Sequence, residues 1–346
     1  MSPSALPSTW RSRTCVVLIA MSALISACAS DERPRLVPGE AEVVVNTAPK
    51  QALDPDASVG RQAGEPAIGR TAALPGDPLP PVFHVLGSVR SVADETDRFS
   101  GQALPILDDL ATIASLGCTP SECPSGPLAT WAEGQIEIIN VATREAASEG
   151  AGQLGAQVSD LRARGITVVG FGENAIDAAT PVIFTNGAEE IAIHAISLDP
   201  DNPAAATEDT PGVSGLADFD LLRQSVIANR NDDRGVIVLV DWGNTEGRAP
   251  TVEQVADVEL IVEAGADAII GHGSDFLQRF DLVGQAAVSY SLGNASVTTP
   301  EPLRADTAIL RLEFDTPGRS CLFPATAGPN GPVLDNQENG RCSQTG

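Results

Sequence analysis

Three apolar runs that each stop dead at polar residues constrain this chain most. Val236–Asp241 reads VIVLVD before Trp242-Gly243, Ala268–Gly271 reads AIIG before His272-Gly273-Ser274-Asp275, and Ala286–Ser291 leads into Leu292-Gly293-Asn294. Between the first two lies a segment opened by Thr251-Val252-Glu253-Gln254, a capping box whose hydroxyl and amide satisfy the first turn's orphan donors, and closed at Gly265. In open α/β sheets, chemistry collects beyond the carboxyl ends of such strands. Asp241, Glu246, His272, Asp275 and Asn294 are therefore the candidate site residues.

The rest of the folded region follows the same alternation. VFHVLGSV, from Val82, predicts a strand stopping at Gly87-Ser88. Pro105, at a favoured first helical position, predicts a helix through LDDLATIASL to Gly117. Gln135–Ala142 predicts a buried strand, Glu145–Arg164 a helix stopped by Gly165, and Ile166–Gly170 a short strand. Val182–Thr185 and Glu190–Ser197 predict a hairpin across Asn186-Gly187, a type I′ turn signal. Asp218–Asn229 predicts a helix, Gln278–Val283 with Ala286–Ser291 a second hairpin, and Thr307–Phe314 a last strand. Helices alternating with strands, interrupted by hairpins, fit mixed sheets covered by helices. His84 and His194 fall inside strands and are expected as core or edge residues rather than ligands, and Trp242 is expected to pack under the loop after its strand.

A net charge of −25 argues against nucleic acid as a partner, since phosphate binding needs clustered Lys and Arg. The N-terminus predicts export. Arg11 and Arg13 precede a short apolar stretch, Cys15 to Ile25, too brief to span a membrane comfortably. Leu24-Ile25-Ser26-Ala27-Cys28 resembles a bacterial lipobox, with cleavage before Cys28 and lipid attached to it. Residues 1–27 are then a lipoprotein signal peptide, and a membrane is a partner through Cys28. Residues 28–80, crowded with Pro, Ala, Gly and acids, predict a disordered tether with a reach of roughly 40 Å. The protein is placed on the outer face of a bacterial cell membrane. Four further cysteines, Cys118, Cys123, Cys321 and Cys342, predict disulfides in that oxidising compartment. Three pairings are possible, and joining sequence neighbours costs least in loop closure.

Taken together, these residues make the chain resemble the CapA (poly-γ-glutamate capsule biosynthesis) family, whose domain is similar to a calcineurin-type metallophosphoesterase. The resemblance is carried by Trp242-Gly243 with Pro250 and Gln254, by Ala264-Gly265-Ala266-Asp267, by Ile270-Gly271 with Leu277-Gln278, and by Tyr290-Ser291-Leu292-Gly293-Asn294. It covers about Val82 to Phe314. It implies a calcineurin-like α/β/β/α sandwich, with two mixed β-sheets flanked by helices, over residues 81–315, leaving 316–346 as a disulfide-closed tail. The motifs that carry the family's chemistry differ here. Gly87-Ser88 stands for Gly-Asp, Arg144-Glu145 for Asn-His, Asp241 for the His before Trp-Gly, and Gly273 and Asp275 for a pair of His. A two-metal site would lose the imidazoles that favour zinc or iron. The expectation is a catalytically degenerate domain that binds an envelope polymer or an envelope protein during capsule-type polymer synthesis. The alternative is a metal-dependent hydrolase or transferase in which Glu145, Asp241 and Asp275 hold Mg²⁺, Mn²⁺ or Ca²⁺ through oxygen. Arg144 is expected to neutralise one of these acids.

Overall fold

A computed structural model describes residues 82–90, 111–132, 136–186, 189–232, 234–243, 245, 247–297, 305–314 and 320–335. The expected leader, Cys28, the tether and Cys342 lie outside these residues.

Two mixed sheets pack face to face. The first contains β1 (Val82–Val89), β2 (Ala111–Leu116), β3 (Ile138–Asn140), β4 (Thr167–Val169), β13 (Asn294–Ser296), β14 (Asp306–Glu313), β15 (Cys321–Gly328) and β16 (Gly331–Leu334). Its path runs β13-β15-β14-β1-β2-β3-β4, with β16 paired to β15 and β13 also paired to β1. The second runs β11-β12-β10-β9-β7-β6, built from β6 (Val182–Asn186), β7 (Glu189–Ser197), β9 (Gly235–Asp241), β10 (Ala268–His272), β11 (Phe280–Val283) and β12 (Ala286–Ser289). A two-stranded piece joins β5 (Phe171–Gly172) to β8 (Gly212–Val213).

Strand alternation assigns the two faces of the second sheet. Ile191, Ile193, Ile237, Leu239, Ala268 and Ile270 join Phe83, Val85 and Ile113 of the first sheet in one core. The alternate residues Ala192, Ile196, Val236, Val238, Val240 and Ile269 pack instead on α5 (Phe219–Asn231) and α6 (Val252–Ala264). The first sheet is backed by α1 (Ser125–Ala132) and α3 (Ala151–Ala163) through Leu128, Trp131, Leu154 and Leu161. The expected α/β/β/α layering is present. At the core's centre the rings of Phe83 and Phe184 meet edge-on with centroids 5.4 Å apart.

The capping box at Thr251 forms in both directions, with the Thr251 N–H donating to Gln254 Oε1 at 2.7 Å and the Gln254 N–H to Thr251 Oγ1 at 3.2 Å. Gly265 ends α6 at φ 111°, where a side chain would be strained. Both expected hairpins form.

Elsewhere the structure corrects the expectations. Ala111–Leu116, expected within a helix from Pro105, is the strand β2, buried at every position and parallel to β1 on one side and β3 on the other. Central parallel strands read as continuous apolar runs without alternation, which removes their strand signature. The helix expected from Glu145 to Arg164 is two helices, α2 (Arg144–Ala147) and α3, parted at Gly150 with φ 95°. Two short helices, α1 and α4 (Ala175–Ala179), were not anticipated. Thr307–Phe314 is not the last strand, and the sheet extends beyond residue 315. β15 covers β14 with buried Cys321, Leu322, Phe323, Ala325 and Ala327, so the edge of β14 is paired rather than open. Cys118 and Cys123 form a disulfide.

Phe83→Ala and Phe184→Ala should each destabilise the protein by about 3–5 kcal/mol in equilibrium denaturant unfolding. The double variant should cost less than the two together, because the edge-on pair is then removed once.

Candidate functional site

The carboxyl ends of both parallel strand sets face one rim. Hydrogen bonds crossing between the sheets establish this: the Arg144 N–H, after β3, donates to Asp241 Oδ2 at the end of β9, and Arg90, after β1, donates to Asp275, beyond β10. Four of the five expected site residues, Asp241, His272, Asp275 and Asn294, lie on this rim or in its floor. Glu246 lies outside the described residues.

Asp241 is the most enclosed of the acids, with no exposed surface. Alternation along β9 aims it between the sheets, in line with Leu239. Its Oδ2 accepts from the Arg144 N–H at 2.8 Å and from Ser197 Oγ at 2.9 Å, and its Oδ1 accepts from the Gly243 N–H at 3.3 Å. Gly273 has to be glycine here, because a Cβ would stand 2.6 Å from Asp241 Oδ1 in a backbone at φ 95°. Loss of water, reinforced by the negative charge of Glu145, pushes the Asp241 carboxyl up to about 7, against three hydrogen bonds that favour its charged form.

Arg90 organises the opposite side. Its Nε donates to Asn294 Oδ1 at 2.9 Å and its Nη1 to the Gly117 carbonyl at 3.2 Å. Nη1 stands 3.5 Å from Glu145 Oε1, and Nη2 forms a close ion pair with Asp275. Asn294, nearly buried at the start of β13, also donates from Nδ2 to Asp275 Oδ1 at 3.4 Å. Glu145 and Asp275 thus meet on a guanidinium, while Asp241 is held by other donors.

Arg144, expected to neutralise one of those three acids, pairs with Asp199 instead, Nη1 to Oδ2 at 3.2 Å. The reason is local: α2 presents its backbone to Asp241, and the Arg144 side chain leaves toward the loop after β7. His272 lies opposite Asp241 in register on β10, with neither ring nitrogen hydrogen-bonded, and burial lowers its pKa to about 3. His84 and His194 are buried within β1 and β7, as expected. Trp242 is buried in the core between the second sheet and its helices, and its Nε1 donates to the Tyr290 carbonyl at 2.8 Å. Among the described residues, no three or more His, Cys, Asp or Glu side chains are grouped so that they could hold a metal ion. Sequence reasoning missed Arg90, Ser197 and Asp199. Arg90 alone carried a signal, a charged residue directly after an apolar strand that ends on the rim.

Residues 121–298, which contain all of this rim except Arg90 and Gly117, match the family described as Bacterial capsule synthesis protein PGA_cap. The chain belongs to that family. It is also 26% identical over 194 residues to the capsule biosynthesis protein CapA of Bacillus anthracis, an alignment covering 55% of this chain and 47% of that protein. The chain therefore spans about half the length of this curated relative. Among solved structures, a phosphatase of Mycoplasma pneumoniae aligns with 73% of this chain and 94% of its own at 10% identity and a TM-score of 0.46. An NAD nucleotidase of Haemophilus influenzae aligns with 76% of this chain and 53% of its own at 11% identity and a TM-score of 0.43.

The buried acid gives this PGA_cap family member a defined pH response. The unfolded chain releases the Asp241 proton near 3.8, whereas the native state holds it to about 7. The contribution of Asp241 to stability is thus highest below its unfolded value and declines as pH rises to about 7. Asp241→Asn should flatten this decline, and denaturation midpoints between pH about 4 and about 8 should fall less steeply than in the wild type. Equal slopes would contradict the assignment.

Proposed function

We propose that this chain is an extracytoplasmic, lipid-anchored accessory protein of capsule-polymer synthesis that binds through its strand-end cleft and performs no metal chemistry. Membership of the capsule synthesis family and the likeness to CapA support the pathway. The leader ending at Cys28 supports the location. The anchor is assigned to lipid on Cys28 from the Leu24-Ile25-Ser26-Ala27-Cys28 motif; among the described residues, no helix is long and apolar enough to cross a membrane.

The observation that carries the binding reading is the placement of Arg90. A two-metal hydrolase needs carboxylate and imidazole donors turned toward shared cations. Here a guanidinium stands between Glu145 and Asp275. Asp241 turns its oxygens to two backbone N–H groups and a hydroxyl, and its raised pKa keeps it protonated below about 7. A fixed positive charge opposes a cation at the same place. These residues do not fit a metal pair, and the cleft is left with recognition as its work. Its ligand is an envelope polymer or an envelope protein. With a net charge of −25, a polyanion would gain nothing from long-range attraction, so contact depends on the cleft's hydrogen-bonding groups.

Two experiments test this reading. Cys28→Ala should move the protein from the membrane fraction to the soluble fraction, and a variant that stays on the membrane would contradict the anchor. The soluble domain should release no calorimetric heat with Mg²⁺, Mn²⁺ or Ca²⁺ at millimolar concentration and should cleave neither phosphodiester nor amide substrates. Cation-dependent cleavage abolished by Asp241→Ala and Asp275→Ala would replace this reading with a metal-dependent hydrolase or transferase acting on envelope polymers.

A further inference from the structure

Arg90 does more than block a cation, because the surrounding chain is built to receive it. Four oxygens converge on the guanidinium: Asn294 Oδ1, the Gly117 carbonyl, Glu145 Oε1 and an Asp275 carboxylate oxygen. They arrive from β13, the segment after β2, α2 and the segment after β10, while Arg90 itself extends β1. Its backbone is fixed as well, since the Arg90 N–H donates to the Ser296 carbonyl at 3.1 Å and the Gly117 N–H to the Val89 carbonyl at 2.9 Å. Gly117 also opens the path for the side chain. A Cβ on it would lie 3.2 Å from Arg90 Cδ and 2.8 Å from Ser88 Cβ. One residue therefore supplies both an acceptor for the guanidinium and the space for its methylene stem. A planar fork with five donors suits four acceptors arriving from different segments.

We infer that Arg90 is the cleft's own cation: it neutralises Glu145 and Asp275 and clasps five segments of the rim, so that the cleft is ordered without a bound metal. This extends the reading that the cleft binds rather than catalyses, and it makes a prediction that reading does not. The oxygens around Arg90 are hard donors of the kind that bind Ca²⁺ or Mn²⁺, and the guanidinium is what keeps them from doing so.

The test compares the full chain carrying Arg90→Ala, Arg90→Lys or Gly117→Ala with the wild type, following thermal unfolding with and without millimolar Ca²⁺ or Mn²⁺. The wild-type midpoint should not respond to either cation. Arg90→Ala should lower the midpoint by roughly 5 °C, and cation should restore most of it, with one ion per chain and a dissociation constant of about 10⁻⁴–10⁻³ M by calorimetry. Arg90→Lys, which keeps the charge but loses the fork, should fall between the two and show a weaker response. Gly117→Ala, which crowds the Arg90 stem without removing the guanidinium, should destabilise and give a smaller cation response than Arg90→Ala. A folded Arg90→Ala protein indifferent to cations would overturn the inference, as would a wild type stabilised to the same extent. Should Arg90→Ala fail to fold alone, recovery of folded protein on refolding with Mn²⁺ supports the clasp, and no recovery overturns it. None of these outcomes depends on the capsule pathway or on the lipid anchor, which stand or fall on membrane fractionation and ligand binding.

Discussion

Asp241 has no solvent-exposed surface, and the architecture around the rim depends on how that burial is tolerated. An ionised carboxylate buried away from solvent costs several kcal/mol, and hydrogen bonds to it return about 1.5–3 kcal/mol apiece. Three such bonds tie β7, β9 and α2 to one side chain. They do not fully offset desolvation and the nearby charge of Glu145, and the carboxyl keeps its proton to about 7. The opposite side of the rim is partly exposed, and there the charge is balanced by charge, through Arg90. Two means of handling acids stand side by side, one by hydrogen bonds and proton retention, the other by an internal counter-ion.

The frame of the rim is held by packing and hydrogen bonds within the chain. Gly273 lies against Asp241, the Trp242 Nε1 donates to the Tyr290 carbonyl, and Thr251 caps α6. A fold and the chemistry carried on it are separable, and here Glu145, Asp275 and Asn294 of the rim find partners within the chain. His272 marks how far the packing encloses the floor: its imidazole is neutral, buried and without a hydrogen bond, an arrangement compatible with a packed residue rather than a proton carrier at neutral pH.

Much of the fold was legible because local chemistry and tertiary packing agree. β9 and β10 declare themselves as apolar runs, α6 by its capping box and Gly265, and both hairpins by their turn residues. β2 was not legible, since a strand buried on both faces lacks alternation and Ala111–Leu116 has spacing that a helix also satisfies. The break at Gly150 is local, a glycine at φ 95° inside a segment of helical spacing, whereas the strands after residue 320 depend on pairing with β14. At the site, the placement of Asp241, Asp275 and Asn294 at strand ends was readable. Their partners were not. Arg90 reaches Asn294 and Asp275 only because β1 lies parallel to β13 and faces the β10 end, a pairing across some two hundred residues. Arg144, adjacent to Glu145 in sequence, spends its charge on Asp199 instead.

Crystals of the soluble domain grown with millimolar Mn²⁺, measured for anomalous scattering, address the cleft most directly. An internally neutralised rim predicts no anomalous peak among Glu145, Asp241 and Asp275, with the Arg90 guanidinium in density between Glu145 and Asp275. A peak there, with Arg90 displaced, would contradict it.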